Sequence, residues 1–159
     1  MDVIDNFLGS YQFNIIQKQL MGDTFPWYFD DGMVKSGDGK YQFTHGFLKN
    51  NNVSPYFSII EPCINKLGCN RLVRVKANLN HKTLFHKRSE YHVDQTGAPS
   101  TIKTAILYVN TCNGWTRFKK GGKVKSVANR VVIFDNDLEH AGVSCTDENR
   151  RVVINFNYE

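Results

Sequence analysis

The sequence predicts a mainly β fold, a sandwich or jelly roll with two helices packed on one sheet. Short runs of β-forming residues, separated by turns, follow one another from residue 70 onward. Apolar residues at helical spacing are confined to the first 69 residues. Many short strands joined by turns are typical of sandwiches and jelly rolls. At 159 residues the chain has the usual size of one domain, so we expect a single domain over 1–159, with 1–69 as a helical support region and 70–159 as the jelly-roll core.

The first part of the chain predicts two helices. Apolar residues recur at helical spacing between Phe7 and Leu20, which predicts an amphipathic helix over 10–21 that ends at Gly22. The aromatic run 25–29 predicts a strand, and the Gly- and Asp-rich segment 30–40 predicts a mobile loop beside a pocket. Ser54 and Pro55 match a helix cap and a first-turn proline, which predicts a second helix ending near Gly68.

The remainder of the chain predicts strands and contains no internal repeat. A strand requires only a short run of alternating or apolar β-forming residues bounded by turn residues. The runs of this kind are 71–79, 91–94, 102–110, 115–118, 123–127, 130–135 and 151–158.

Composition narrows the class of protein. No apolar stretch is long enough to span a membrane, and the first residues lack the features of a signal peptide, so we expect a cytoplasmic protein without a membrane partner. The four cysteines form no CxxC pair, which favours reduced thiols over disulfides or a zinc site. The net charge of +5 favours an anionic partner or co-substrate. Nucleic acid is unfavoured as a partner, since no basic run is interleaved with aromatic residues.

Two histidines and one aspartate suggest a metal site. Residues two apart on a strand share a face, so His92 and Asp94 can converge on one ion. His140 follows a strand that runs into a polar turn and is the candidate third ligand. Two histidines and a carboxylate form the facial triad that holds Fe(II) and leaves positions open for oxygen chemistry, which predicts an oxygenase. Alternatively, His92 and Asp94 are an exposed pair at a strand end, and His140 is an exposed loop residue.

The last predicted strand carries a candidate anion clamp. Period-2 alternation places Arg151, Val153, Asn155 and Asn157 on one face, opposite a more apolar face. An arginine among amides suits bidentate binding of a carboxylate. Arg150 is adjacent, but the alternation selects Arg151. The alternative is a solvated edge strand with an exposed arginine.

A polar and basic stripe alternates with apolar residues on an earlier strand. Arg74, Lys76 and Asn78 share one face there. If that face lines the pocket, the stripe suits an acidic or hydrogen-bonding substrate; otherwise it is the solvated face of an edge strand.

Five segments together resemble the Fe(II)- and 2-oxoglutarate-dependent oxygenases of the prolyl 4-hydroxylase type, and the small bacteriophage-encoded forms match best. The resemblance covers 71–158 well and the helical N-terminus loosely. The sequence departs from the family in having one glycine before Thr116, where two are frequent. The segments that carry the resemblance are 72–79, 91–94, 105–110, 114–118, and His140 with Arg151.

The resemblance implies a double-stranded β-helix, the cupin-like jelly roll, with His92, Asp94 and His140 as ligands of Fe(II). It also implies that Arg151 and Tyr108 hold the distal carboxylate of 2-oxoglutarate, with Asn155 beside them. Tyr108 has the alternative role of a core aromatic. The possible substrate-facing residues are Arg74, Lys76, Asn78, Trp115 and Asn157.

The activity implied by this resemblance is hydroxylation of an unactivated C–H bond, with dioxygen consumed and succinate and carbon dioxide released. Ascorbate is a candidate reductant. The substrate is a peptidyl proline, another protein residue or a small molecule, and for a phage-encoded member the location is the host cytoplasm. The alternatives are a non-catalytic jelly-roll module that binds a metal without consuming 2-oxoglutarate, and an oxygenase that acts on nucleic acid.

Overall fold

Two antiparallel sheets form the body of the chain in a computed structural model that describes residues 1–97, 99 and 101–159. The larger sheet has the strand order β1-β9-β6-β11-β5-β3-β2, with β4 paired to β3, and the smaller sheet has the order β10-β7-β8. This arrangement confirms the predicted mainly β jelly roll. The strands are β1 (Asp2–Ile4), β2 (Tyr28–Asp30), β3 (Gln42–Lys49), β4 (Asn52–Val53), β5 (Leu72–His81), β6 (Lys103–Tyr108), β7 (Trp115–Phe118), β8 (Lys123–Lys125), β9 (Arg130–Asp135), β10 (His140–Val143) and β11 (Arg150–Tyr158).

The first helix, α1 (Ser10–Met21), is confirmed with the predicted bounds. Ile16 and Leu20 on its apolar side are fully buried in a core that also contains residues of β5, β6 and β11. Gly22 follows in an extended conformation. The helix therefore covers one face of the larger sheet.

The second helix begins later than the sequence predicts. A 3₁₀ turn (Phe57–Ile60) precedes α2 (Glu61–Leu67), and Gly68 ends it in the left-handed conformation. Ser54 does not cap the helix, because its hydroxyl accepts a hydrogen bond from the backbone of Tyr56 in a local turn. Pro62 is the proline in the first turn of α2, where its missing N–H costs nothing.

Strand β11 lies at the centre of the larger sheet, between β5 and β6. Val152, Ile154 and Phe156 belong to the core beneath the helices. Arg151 and Asn155, on the opposite face of the strand, border a cavity. The predicted alternation is confirmed, and it makes β11 the boundary between an apolar core and a polar pocket.

Four strands, β1, β3, β4 and β10, were missed, and the strand predicted over 91–94 is not formed. Residues 91–94 make only an isolated bridge between His92 and His140. The missed strand β3 contains Gly46 and several polar residues, so its β propensity is weak. The missed strand β10 has four residues, including Ala141 and Gly142, and is formed through its pairing with β7.

None of the helices in the described residues is long and apolar enough to cross a membrane. All four cysteines are free thiols.

We expect Phe156→Ala to lower the free energy of unfolding by about 3 to 5 kcal/mol, because a large side chain that is 1% exposed would leave a cavity in the core. Tyr11→Ala is the matched control, since Tyr11 is 78% exposed and should change stability by only about 0.5 kcal/mol. Urea unfolding of both variants measures the difference. Equal losses in the two variants would contradict the placement of Phe156 in the core.

Candidate active site

A pair of reciprocal backbone hydrogen bonds holds the two histidines opposite each other. The His92 amide donates to the His140 carbonyl, and the His140 amide donates to the His92 carbonyl, each at 3.0 Å. His140 is the first residue of β10. The segment after β5 is thus fastened to β10, and Asp94 follows two residues later.

The three side chains converge. The Nε2 atoms of His92 and His140 lie 3.8 Å and 3.9 Å from the Asp94 Oδ1 atom, and the three candidate ligand atoms all lie within 4.8 Å of one another. Donor atoms about 2 Å from one ion lie about 3 Å apart when they share one face of its coordination sphere, so these three atoms would draw together by about 1 Å around an ion. Two imidazoles with one carboxylate are the donor set of a facial triad for Fe(II).

Both imidazoles are oriented for binding through Nε2. The Nδ1 atom lies 3.2 Å from the Glu90 carbonyl oxygen in His92 and 3.1 Å from the Leu138 carbonyl oxygen in His140. An Nδ1–H group that donates to a carbonyl leaves the Nε2 lone pair free. Burial lowers the pKa of His140, which favours the neutral imidazole that a metal requires.

Asp94 is held from behind by an amide. Its side chain is 4% exposed, and the Asn157 Nδ2 group donates to its Oδ2 atom at 3.2 Å. The same amide group donates to the Thr104 hydroxyl at 3.1 Å. Asn157 therefore positions the carboxylate, a role that differs from the predicted contact with substrate.

Arg151 is buried, and its contacts are with hydroxyl groups. It is 3% exposed, and it donates from Nε to the Ser126 hydroxyl at 2.8 Å and from Nη2 to the Thr116 hydroxyl at 3.1 Å. Among the described residues no carboxylate lies within 4.0 Å of its guanidinium. Burial lowers the pKa of Arg151. A buried unpaired cation is costly, and an anionic ligand would offset that cost.

Gly114 makes room for this arginine. A Cβ atom at position 114 would lie 2.8 Å from the Arg151 Cδ atom and 2.9 Å from the Val143 carbonyl oxygen. Contacts this short force a displacement. The single glycine before Thr116 is therefore required by the close approach of the arginine side chain.

Tyr108 belongs to the same hydrogen-bond network as Arg151, but it lies in an apolar cluster and does not line the cavity, which matches the core-aromatic alternative and not the predicted contact with 2-oxoglutarate. Its hydroxyl donates to the Thr116 hydroxyl at 2.8 Å, and its ring centroid lies 5.6 Å from the Arg151 Cζ atom. Burial raises the pKa of Tyr108, so the hydroxyl remains a donor. Arg150 points elsewhere and donates to the Met21 carbonyl at the end of α1, as the strand alternation predicts.

The triad and Arg151 border one cavity of about 640 Å³, a volume typical of small-molecule sites. Met33 and Val34 of the predicted loop also line it. Trp115, predicted to face the substrate, lies outside the cavity lining: its ring is 4.6 Å from that of His86 and 4.4 Å from the Lys123 ammonium. Since neighbouring strand residues point to opposite faces, Thr116 faces the cavity and Trp115 does not.

The basic stripe of β5 faces the cavity, which excludes the alternative of a solvated edge strand. Arg74, Lys76 and Asn78 line it, together with Asn80. Burial, followed by the nearby charge of Arg74, lowers the pKa of Lys76 to about 8. Of the two alternatives that the sequence left open, the structure therefore shows the pocket-lining one, and Asn80 extends the stripe by one further inward position.

Thr116, Ser126 and Gly114 are the residues around Arg151 that sequence reasoning missed. A hydroxyl on a strand is common, and no local pattern distinguishes one that contacts a distant arginine. Alternation along the predicted strand does place Thr116 on the face opposite Trp115, but it does not indicate that this face meets Arg151.

Comparison with solved structures identifies the fold. A prolyl hydroxylase from Trichoplax adhaerens, in complex with a hypoxia inducible factor peptide fragment, matches with a TM-score of 0.71 and 13% identity, over 99% of this chain and 82% of that one. A 2OG-Fe(II) oxygenase family protein from Burkholderia pseudomallei matches with a TM-score of 0.70 and 10% identity, over 98% and 84% of the two chains. The fold is that of the 2-oxoglutarate and Fe(II) oxygenases.

HygX from Streptomyces hygroscopicus, whose structure contains nickel and 2-oxoglutarate, shares this fold with a TM-score of 0.64 and 14% identity, over 98% of this chain and 81% of that one. No protein-family profile and no curated protein sequence matches the chain. The predicted resemblance to the oxygenase superfamily is thus confirmed as a fold.

We expect His140→Ala and Asp94→Ala to abolish binding of Co(II), because each removes one of three converging ligands. The visible absorption of bound Co(II) measures the loss, and circular dichroism checks that the variants remain folded. His86→Ala is the control, since His86 contacts the Ser144 carbonyl and Trp115. Full Co(II) binding by either triad variant would contradict the assignment of the site.

We expect Lys76→Met to stabilise the fold at pH 7, by roughly 1 to 3 kcal/mol. The unfolded chain carries this lysine at an ordinary pKa near 10.5, whereas the folded protein lowers it to about 8. The cost of burying the charge is fully present below pH 8 and disappears as the pH rises from 8 to above 10.5. Urea unfolding across this range should show the advantage of the variant shrinking; a constant advantage would contradict the lowered pKa.

Proposed function

We propose that this protein is an Fe(II)- and 2-oxoglutarate-dependent dioxygenase that hydroxylates an unactivated C–H bond. One observation carries the proposal: a facial triad borders the same cavity as a buried arginine that has no acidic partner in the described part of the chain. A purely structural metal site has no need of a carboxylate anchor across the cavity. The fold shared with 2-oxoglutarate oxygenases supports the same activity.

We assign His92, Asp94 and His140 as the ligands of Fe(II), with Arg151 as the partner of the distal carboxylate of 2-oxoglutarate. Thr116 and Ser126 orient the guanidinium, and Tyr108 fixes the Thr116 hydroxyl through its own hydrogen bond. Asn155 lines the cavity, and its Oδ1 atom has no hydrogen-bond partner among the described residues. Both sites lie within 70–159, and 1–69 support them as part of one oxygenase domain.

When bound, Fe(II) and 2-oxoglutarate supply an oxidation in which dioxygen places one atom in succinate, with loss of carbon dioxide, and the other in a C–H bond of the substrate. The residues of the chain position the co-substrate and the metal ligands. Arg151 binds one end of the co-substrate and so fixes its direction in the cavity. Asn157 holds Asp94, and the carbonyls of Glu90 and Leu138 hold the imidazoles, so the ligands need little rearrangement.

We propose a protein, a peptide or a small molecule as the substrate class, with dioxygen as the second co-substrate. A peptidyl proline is the first candidate to test, because the Trichoplax adhaerens neighbour is a prolyl hydroxylase in complex with a peptide. Ascorbate belongs in the assay as a reductant.

The first test is succinate formation by the purified protein in air, with Fe(II), 2-oxoglutarate and ascorbate, with and without a pool of proline-rich peptides. We expect slow turnover without substrate that is lost in His140→Ala, and stimulation by peptide if the substrate is a prolyl residue. A protein that binds metal but neither binds nor consumes 2-oxoglutarate would instead be a non-catalytic metal-binding module.

We expect Gly114→Ala to weaken 2-oxoglutarate binding by at least about tenfold, because the new methyl group displaces Arg151, and tenfold corresponds to 1.4 kcal/mol of binding free energy. Gly142→Ala is the matched control: its Cβ would lie 3.7 Å from the Arg151 Nη1 atom, an ordinary contact. Arg151→Ala should abolish turnover.

Calorimetric titration with 2-oxoglutarate in the presence of Mn(II) measures the affinities, and Mn(II) binding should be nearly equal in all three variants. Loss of metal binding together with loss of 2-oxoglutarate binding would count against Arg151 as the anchor.

A further inference from the structure

We propose that the substrate carries an acidic group, a carboxylate or a phosphate, which binds to Arg74 and Lys76 on β5. This inference rests on the proposed oxygenase function and names the substrate class of that site. It is carried by the position, burial and charge of these two side chains.

The register of the sheet places both cations at the metal end of the cavity. Arg74 pairs with Asn157, whose amide holds Asp94, and Lys76 pairs with Asn155. Asn80 pairs with Arg151, at the co-substrate end of the same strands. The Arg74 Nη1 atom lies 3.5 Å from the Asp94 carbonyl oxygen. An acidic group held there would keep its substrate beside the triad.

Neither cation has a strong partner in the described part of the chain. Lys76 lies 3.9 Å from the Asp30 carboxylate, and the Lys76 side chain is only 22% exposed. Arg74 has no carboxylate within 4.0 Å among these residues, and its contact with the Asp94 carbonyl oxygen is long. Glu139 also lines the cavity, but it is paired with Lys119 at 2.6 Å. The two cations therefore carry charge that Asp30 and Asp94 offset only in part.

Fe(II) and 2-oxoglutarate would not use this charge. The dication and the dianion balance each other, and the formal charges of Asp94 and Arg151 cancel in the sum over the cavity. Arg74 and Lys76 then remain as the excess charge of the cavity. A neutral substrate would remove two cations from water without pairing their charge, and this desolvation is unfavourable. An anionic group would compensate them and form charge-assisted hydrogen bonds.

The polar wall beside the cations fits the same kind of substrate. Asn78 and Asn80 are 8% and 7% exposed, and the Asn80 Nδ2 group has no hydrogen-bond partner among the described residues. A cavity of about 640 Å³ has room for a second small molecule beside 2-oxoglutarate. The wall thus offers donors to an acceptor-rich substrate of modest size.

The test uses the whole protein without oxygen, with Mn(II) and saturating 2-oxoglutarate, and three small probes: inorganic phosphate, acetate and the neutral analogue acetamide. Paramagnetic relaxation of each probe by the bound Mn(II) reports binding near the triad. We expect at least one anion to bind about tenfold or more tightly than acetamide. The tighter anion identifies the acidic group of the substrate as a phosphate or a carboxylate.

The double variant Arg74→Gln/Lys76→Gln should lose this preference for anions and keep its affinity for 2-oxoglutarate. Its matched control, Lys66→Gln/Arg117→Gln, removes the same charge from exposed positions outside the cavity lining and should keep the preference. Circular dichroism checks that both variants are folded. If the double variant does not fold, the single variants Arg74→Gln and Lys76→Gln are used in its place.

Equal binding of anions and acetamide by the unmodified protein would overturn the inference and leave the oxygenase proposal intact. Joint loss of anion and 2-oxoglutarate binding in the double variant would also overturn it, because the cations would then serve the co-substrate. Failure of the unmodified protein to bind 2-oxoglutarate at all would overturn the proposed function, and this inference with it.

Discussion

The two-sided burial of β11 is the constraint on which the rest of the structure depends. Its apolar face, with Val152, Ile154 and Phe156, belongs to the core beneath the helices. Its polar face places Arg151 and Asn155 at the cavity and Asn157 against Asp94. Because strand side chains alternate, the packing that buries the apolar residues also fixes where the polar ones point. Stability and site geometry are set by one register.

Strand alternation made much of this site predictable. A period of two shows that Arg151 shares a face with Asn155, and Arg74 with Lys76 and Asn78, without knowledge of the tertiary fold. Whether those faces line the cavity was left open by the sequence and is decided by the pairing of the strands. The convergence of His140 with His92 and Asp94 required the resemblance to known oxygenases, since 46 positions separate Asp94 from His140. Contacts across the sheets, such as the one between Ser126 and Arg151, have no local signal.

The errors in the predicted fold also arise from contacts that have no local sequence signal. Strand β10 contains Ala141 and Gly142, and it exists because β7 pairs with it; its own propensity is poor. The start of α2 was misplaced because Ser54 and Pro55 form a turn that resembles a helix cap in sequence. At β10 the pairing with β7 selects the strand, and at Ser54 a local hydrogen bond selects the turn. In both places the local sequence alone gives the competing conformations nearly equal free energies.

The backbone hydrogen bonds between His92 and His140 join the segment that carries two of the candidate ligands to the strand that carries the third. Residues 82–97, which follow β5, contain no regular strand. A few hydrogen bonds hold this segment against β10, including one from the Ser89 amide to the Gly142 carbonyl. Two of the three ligands come from this segment. A divalent ion would therefore act as a cross-link that closes a chain loop of nearly 50 residues. Coordination and the ordering of the cavity wall would then be a single coupled equilibrium.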